Sequence, residues 1–305
     1  MNYRAILAKL NEIKKQRGMT LKDLSEKSGI SQGTINKIMS GATQKIKADN
    51  IARLCSALGV PQSVVLGEAS PSEPIAQPVI SRPIGKNFGL VKIACISPQV
   101  KVADCAFNVG EIAKRAAEAA NAGAKVLVFP ELCITGYTCG DLFFTHTLRQ
   151  GAIDGLFELC GRLRSVDAIV FVGLPLVADN GLMYNVCAAI LRGQILGIVP
   201  KMHLPNYNEF EEKRIFAPHD GKTSFVTLFG KQVPFGSDLL FVNDAMPEMK
   251  IAVEICEDIW VSSSPSYKHA EAGATVIVNL SASNETVVKA AYRRKLVEIQ
   301  SGKTC

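Results

Sequence analysis

A chain of 305 residues, 48% of them hydrophobic, is long enough for about two domains with a substantial core. No apolar run approaches the roughly 18 residues of a membrane span, and the charged N-terminus lacks a signal-peptide core, so a cytoplasmic protein without a membrane partner is expected. Nine cysteines at irregular spacings with no CxxC pair, and four scattered histidines, argue against a disulfide framework or a metal site. The net charge of +6 is uneven. Residues 1–68 hold 11 of the 34 Lys+Arg but 5 of the 28 Asp+Glu, so the whole excess sits there. That points to a separate module with an acidic partner such as DNA.

Residues 2–17 carry Ile6, Leu7, Leu10 and Ile13 at helical spacing, ended by Gly18. Thr20 caps a second helix through Lys27, Gly29 makes the turn, and Ser31 caps a third. A fourth covers 48–58, closed by Gly59, and a short fifth is predicted at 62–66. This succession resembles the phage-repressor-like helix-turn-helix family over residues 2 to about 67. The resemblance implies a small all-α DNA-binding domain at 1–69, with Ser31, Gln32, Gly33, Thr34, Asn36 and Lys37 facing the major groove. Gln32 and Asn36 suit adenine edges, and Lys37 suits guanine or phosphate.

Residues 70–87, with four of the fourteen prolines, read as a linker. From residue 88 strands alternate with helices. Strands are predicted at 90–97, 125–130 and 168–176, then a hairpin turning at Arg192-Gly193, then strands at 239–242, 250–256 and 275–282. Helices are predicted at 106–121, 149–164, 266–272 and 285–301. Periodicity supports an α/β fold with a mixed sheet.

Three apolar strands each end on a reactive residue. KIAVEI runs into Cys256, KVLVFP into Glu131, and QILGIVP into Lys201. A thiol is nucleophilic only as thiolate, which the adjacent Glu257 and Asp258 oppose, so a cation must come from elsewhere in the chain. Cys256, Lys201 and Glu131 supply a nucleophile, an electrostatic activator and a general base.

The segments FPELCITGYTCGDLFF, PKMHLPNYNEFEEKR and VEICEDIW resemble the glutaminase domain of glutamine-dependent NAD synthetases, a branch of the nitrilase superfamily. The resemblance covers about 88–305. It implies a nitrilase-type α-β-β-α sandwich and hydrolysis of glutamine through a Cys256 thioester. Lys201 and the Glu257 N–H would stabilise the oxyanion, and Glu131 would act as base. It also implies Tyr137 and Tyr207 as pocket walls, Glu257 on the substrate amino group, and Ser283 on its carboxylate or amino end. Among the acidic residues after Lys201, Glu209 is the one expected to orient it. GYTCGDLF is expected in the pocket wall, and homo-oligomers follow by family analogy.

The glutaminase step needs no cofactor. ATP and nicotinate-adenine dinucleotide belong to a synthetase domain whose SGGxDS-type loop does not occur in these 305 residues. The domain at 88–305 is shorter than such domains usually run and ends abruptly after a helix at QSGKTC, so it is expected to be C-terminally truncated. Two other readings stay open: a DNA-binding regulator with a nitrilase-like metabolite sensor, and a stand-alone carbon-nitrogen hydrolase.

Overall fold

The computed structural model describes residues 3–43, 46–58, 60 and 89–304. Contacts divide the chain into two compact units, Met1–Val79 and Ile80–Cys305. The predicted helix at 62–66, the linker at 70–87 and Gly59 lie outside the described residues.

The first unit contains α1 (Tyr3–Gln16), α2 (Leu21–Ser28), α3 (Gln32–Met39) and α4 (Ala48–Leu58). Thr20 begins α2 with a full capping box. Its hydroxyl accepts from the Asp23 N–H, while the Asp23 carboxylate accepts from the Thr20 N–H at 2.7 Å. Gly29 ends α2 at φ 65, a backbone region that suits glycine. The turn then reverses into α3, capped by Ser31. Leu10, Leu24, Ile35, Ile51 and Leu54 meet in a shared core, which leaves the polar face of α3 to solvent.

The second unit is built on two sheets. The larger runs in the order β1 (Ile93–Cys95), β2 (Val126–Val128), β3 (Ile169–Val177), β4 (Met183–Leu191), β5 (Gln194–Pro200), β7 (Lys231–Phe235) and β6 (Ser224–Leu228). The smaller pairs β8 (Leu240–Asn243) and β10 (Val276–Leu280) on either side of β9 (Met246–Ile255). Helices α5 (Cys105–Asn121) and α6 (His146–Arg162) share one core with the larger sheet. Val128, Phe171 and Val199 of that sheet pack against Ile251, Val253 and Ile255 of the smaller one. On β9 the alternating Ala252 and Glu254 face the other way, and Glu254 meets Ser264 at the start of α8 (Pro265–Glu271). The last helix, α9 (Lys289–Lys303), reaches α8 through a Gln300–Ser266 hydrogen bond of 2.6 Å. Helix, sheet, sheet and helix form the four layers expected.

Several boundaries move. The strands at 90–97 and 125–130 shorten to three residues each, because the chain after β2 turns away to present Glu131. That turn lies against β3 at Gly173, where a Cβ would come 2.3 Å from the Leu132 nitrogen. The strand at 250–256 stops at Ile255. Cys256 itself takes φ 46 and opens a 3-10 turn, Cys256–Ile259. The helix predicted at 285–301 begins at Lys289, because residues 281–284 are used in the site and Val288 breaks the helix at φ 62. The β6–β7 hairpin and the short helix α7 (Glu212–Ile215) carry too little apolar periodicity to be read from sequence.

Candidate active site

The topology explains why three distant residues meet. β2 pairs parallel with β3, and β5 returns to the same direction through the β3–β4–β5 meander. Glu131 and Lys201 therefore leave the same edge of the larger sheet. Cys256 arrives from the facing sheet, at the tight turn ending β9. Asp258 ties the two sheets together. Its carboxylate accepts from the Ile255 N–H at 3.0 Å and, two residues beyond Lys201, from the His203 N–H at 2.8 Å. His203 Nδ1 also lies 3.0 Å from that carboxylate, which holds the imidazole above its ordinary pKa.

Lys201 is fully buried between two carboxylates, 2.6 Å from Glu131 Oε1 and 2.7 Å from Glu212 Oε1. Burial pulls its pKa down, but the two carboxylates outweigh burial and keep it protonated. Glu131 Oε1 also accepts from Asn185 Nδ2 at 2.7 Å, and Oε2 from the Ala282 N–H at 3.0 Å. Glu212 accepts from the Tyr137 hydroxyl at 2.7 Å. Burial, then repulsion from Glu131, push Glu212 up to about 7. Burial and Glu212 likewise raise Tyr137, which stays a neutral donor.

Two carboxylates facing one lysine alter the electrostatics that strand ends alone suggest. Burial first, then Glu131, raise the Cys256 thiol to about 12, and Lys201 offsets only part of this. The resting group is thus a neutral thiol. A neutral thiol can attack only if a base takes its proton in the same step, unlike a thiolate standing beside a free cation. Glu131 Oε2 has an acceptor direction left for that proton, since a carboxylate offers about four lone-pair sites.

Above the thiol lies a cleft of about 220 Å³, below the roughly 300–1,000 Å³ of larger-ligand pockets and suited to a single small metabolite. Its walls include Tyr207, Phe210, Glu257, Trp260, Ser283 and Lys289, with Cys256 among them. The Tyr207 hydroxyl donates to Glu257 Oε2 at 2.8 Å. The Lys289 ammonium sits 5.4 Å from the Trp260 ring and 5.6 Å from that of Phe210. One carboxylate and one ammonium therefore line the same small apolar cleft.

The structure brings Cys256, Lys201 and Glu131 together, and places Tyr207, Glu257 and Ser283 around the cleft. The expectation that Tyr137 walls the cleft is corrected: it is absent from the lining, donates to Glu212 and packs edge-on against Phe210. The rest of GYTCGDLF does not line the cleft either: Thr138 and residues 140–142 are exposed, and Asp141 pairs with Arg214. The expectation that Glu209 orients Lys201 is corrected. Glu209 is exposed and meets Asn284, while Glu212, drawn inward by α7, holds the lysine. Glu212 stood in the sequence as one of three similar carboxylates; only the fold distinguishes it. Asn185, Ser281 and Lys289 carried no local signal. Among the described residues no cluster of three or more His, Cys, Asp or Glu is placed to hold a metal. In the first unit, Ser31, Gln32, Gly33, Thr34, Asn36 and Lys37 are all exposed at α3, the helix after the turn.

The carbon-nitrogen hydrolase family profile matches residues 92–299, and a helix-turn-helix profile matches residues 10–61. The glutamine-dependent NAD(+) synthetase of Mycobacterium bovis is 37% identical over 217 residues, covering 71% of this chain and 32% of that protein. The same enzyme of Mycobacterium leprae is 34% identical over 213 residues, 70% of this chain and 31% of the relative. This chain thus spans about a third of the length of the curated relatives it matches. A crystal structure of a glutamine-dependent NAD(+) synthetase from Cytophaga hutchinsonii superposes with a TM-score of 0.60 at 33% identity, over 68% of this chain and 33% of that one. An amidase from Nesterenkonia sp. shares the fold at 18% identity and a TM-score of 0.56, over 70% of this chain and 72% of that one. With the strand-end cysteine, lysine and glutamate assembled on this sandwich and the profile spanning most of the second unit, the chain belongs to the carbon-nitrogen hydrolase family.

Proposed function

We propose that the second unit is a glutamine amidohydrolase, the ammonia-supplying part of a glutamine-dependent NAD synthetase, and that the first unit binds DNA. The observation that carries the first part is the buried Glu131–Lys201–Glu212 cluster adjoining Cys256 at a cleft with one carboxylate and one ammonium on its walls. Free glutamine offers a carboxamide to the thiol, an ammonium to Glu257 and a carboxylate to Lys289 or Ser283.

In this reading Cys256 Sγ attacks the carboxamide carbon as its proton passes to Glu131. Negative charge then develops on the former carbonyl oxygen. Lys201 and the Glu257 N–H stabilise it, both fixed before reaction so that no reorganisation is needed. Glu131 returns the proton to the departing nitrogen, ammonia leaves, and a γ-glutamyl thioester remains. Water deprotonated by Glu131 hydrolyses that thioester and regenerates the thiol. No cofactor is called on; ATP and nicotinate-adenine dinucleotide enter only with a synthetase domain. Ammonia release from glutamine, measured for the full chain and for Cys256→Ala, tests the reading. Release that survives the substitution defeats it.

The DNA-binding part rests on the exposed polar side of α3 and on the positive charge of residues 1–68. Gln32 and Asn36 read bases, while Ser31, Thr34 and Lys37 hold phosphate or a neighbouring edge. A gel-shift selection from random duplexes at low salt tests it, and absence of any bound duplex overturns it.

A further inference from the structure

Beyond the Cys–Lys–Glu set, the end of β10 is built around the nucleophile. β10 runs parallel to β9 with Leu280 opposite Ile255, so the next residue along, Ser281, falls opposite Cys256. Three contacts, from Asn279, Ser281 and Ala282, follow from that register. Asn279 Nδ2 donates to the Cys256 carbonyl at 3.4 Å, Ser281 Oγ donates to Cys256 Sγ at 3.3 Å, and the Ala282 N–H donates to Glu131 Oε2 at 3.0 Å. One short segment thus touches the backbone of the nucleophile, its sulfur, and the base that takes its proton.

We propose that Ser281 is a further catalytic residue, whose hydroxyl holds the sulfur of Cys256 and stabilises the negative charge that builds on it as the proton moves to Glu131. This rests on the reading of Cys256 as the nucleophile. The need for such a donor follows from the charges in the site. Lys201 is shared between Glu131 and Glu212, and its pull on the sulfur only partly offsets burial and Glu131, which leaves a role for a second donor. A neutral O–H carries no countercharge for those carboxylates to attract. A hydrogen bond to an ionised acceptor is about twice as strong as one between neutral groups, so the contact strengthens as charge develops. No bond to Ser281 forms or breaks. The hydroxyl keeps its proton, the thiol proton goes to Glu131, and the sulfur electron pair goes to the carbonyl carbon. Burial and Glu131 oppose ionisation of the thiol, while the Ser281 hydrogen bond acts with Lys201 in its favour.

The test compares the full chain with Ser281→Ala and Ser281→Thr. The rate of alkylation of Cys256 by iodoacetamide is followed by peptide mass spectrometry between about pH 7 and 9, where the rate tracks the thiolate fraction. Ser281→Ala is expected to slow alkylation about tenfold at each pH, equivalent to a rise of about one unit in the thiol pKa. It is also expected to lower kcat for ammonia release by a similar factor with little change in KM. Ser281→Thr, which keeps the hydroxyl, restores both. Alkylation unchanged in Ser281→Ala, or lost equally in Ser281→Thr, overturns the proposal. Alkylation needs no amide substrate, so it judges Ser281 even if glutamine proves not to be hydrolysed. Ammonia release by Cys256→Ala separately removes the reading of Cys256 on which the proposal rests.

Discussion

Replacing Lys201 with methionine probes the centre of the site. The lysine ammonium lies 2.6 Å and 2.7 Å from two buried carboxylates. At an effective dielectric constant of 20, each contact is worth about 6 kcal/mol of Coulomb attraction. Desolvation of several kcal/mol per ion offsets most of that in the intact protein. Methionine keeps the volume but leaves Glu131 and Glu212 sharing Asn185 with no cation between them. Breaking a buried pair in this way costs about 3–5 kcal/mol. The cost depends on pH. With the lysine gone, Glu212 loses the cation that opposes the rise caused by burial and Glu131, so its folded value goes higher still and folding of the variant favours its protonated form. The deficit against wild type is therefore small below about pH 4.5 and grows as pH rises through the range where Glu212 already titrates, near 7. Trp260, the only tryptophan, lines the cleft and reports unfolding of this unit by fluorescence. Urea titrations of Lys201→Met at pH 5 and pH 8 are expected to show a deficit about 1 kcal/mol larger at pH 8. A deficit equal at the two pH values, or below about 1 kcal/mol at both, refutes the buried two-carboxylate arrangement.

Glu131→Gln keeps a carbonyl oxygen for Lys201 but cannot take a proton; kcat for ammonia release is expected to fall about 10²–10⁴-fold with the fold intact, and a smaller loss removes its role as base. Glu254 is buried, and burial raises it to about 7, so its charged form costs stability as pH rises from 4.5 towards 7. In Glu254→Gln that contribution, about 3 kcal/mol at most, disappears. Melting temperature against pH should be flatter for the variant, and parallel curves contradict the assignment. In the first unit, Gln32→Ala and Asn36→Ala are each expected to reduce discrimination among DNA sequences by about 1–3 kcal/mol, read by competition gel shift, while binding to random duplex persists. Loss of random-duplex binding to the same degree would assign these residues to phosphate contact instead.

That Cys256, Lys201 and Glu131 come together was legible because each closes an apolar strand, where a reactive residue type has few structural duties. The partners that tune them were not. Glu212 and Glu209 look alike in sequence, and α7 alone turns the first inward. Asn185 sits mid-strand in β4, where alternation marks only that it faces one side; Glu131 waits there because β2 and β4 both flank β3. Ser281 and Ala282 read as the tail of a strand, yet the β9–β10 register makes them part of the site. Lys289 looked like a residue inside a helix running from 285. The helix starts at Lys289 instead, and that start places its ammonium at the cleft. The β6–β7 hairpin was missed because its strands are only five residues each, too short for their alternation to stand out. The repressor-like helices were legible through their caps, Thr20 and Ser31, which act locally and need no tertiary context.

The proposed reaction turns on a covalent glutamyl intermediate on Cys256. Acid quenching of the full chain during turnover with glutamine, followed by peptide mass spectrometry and paired with ammonia release, tests it most directly. A glutamyl adduct is expected on the peptide containing Cys256, with adduct and ammonia both absent in Cys256→Ala. An adduct on another residue, or ammonia release that continues without Cys256, would contradict it.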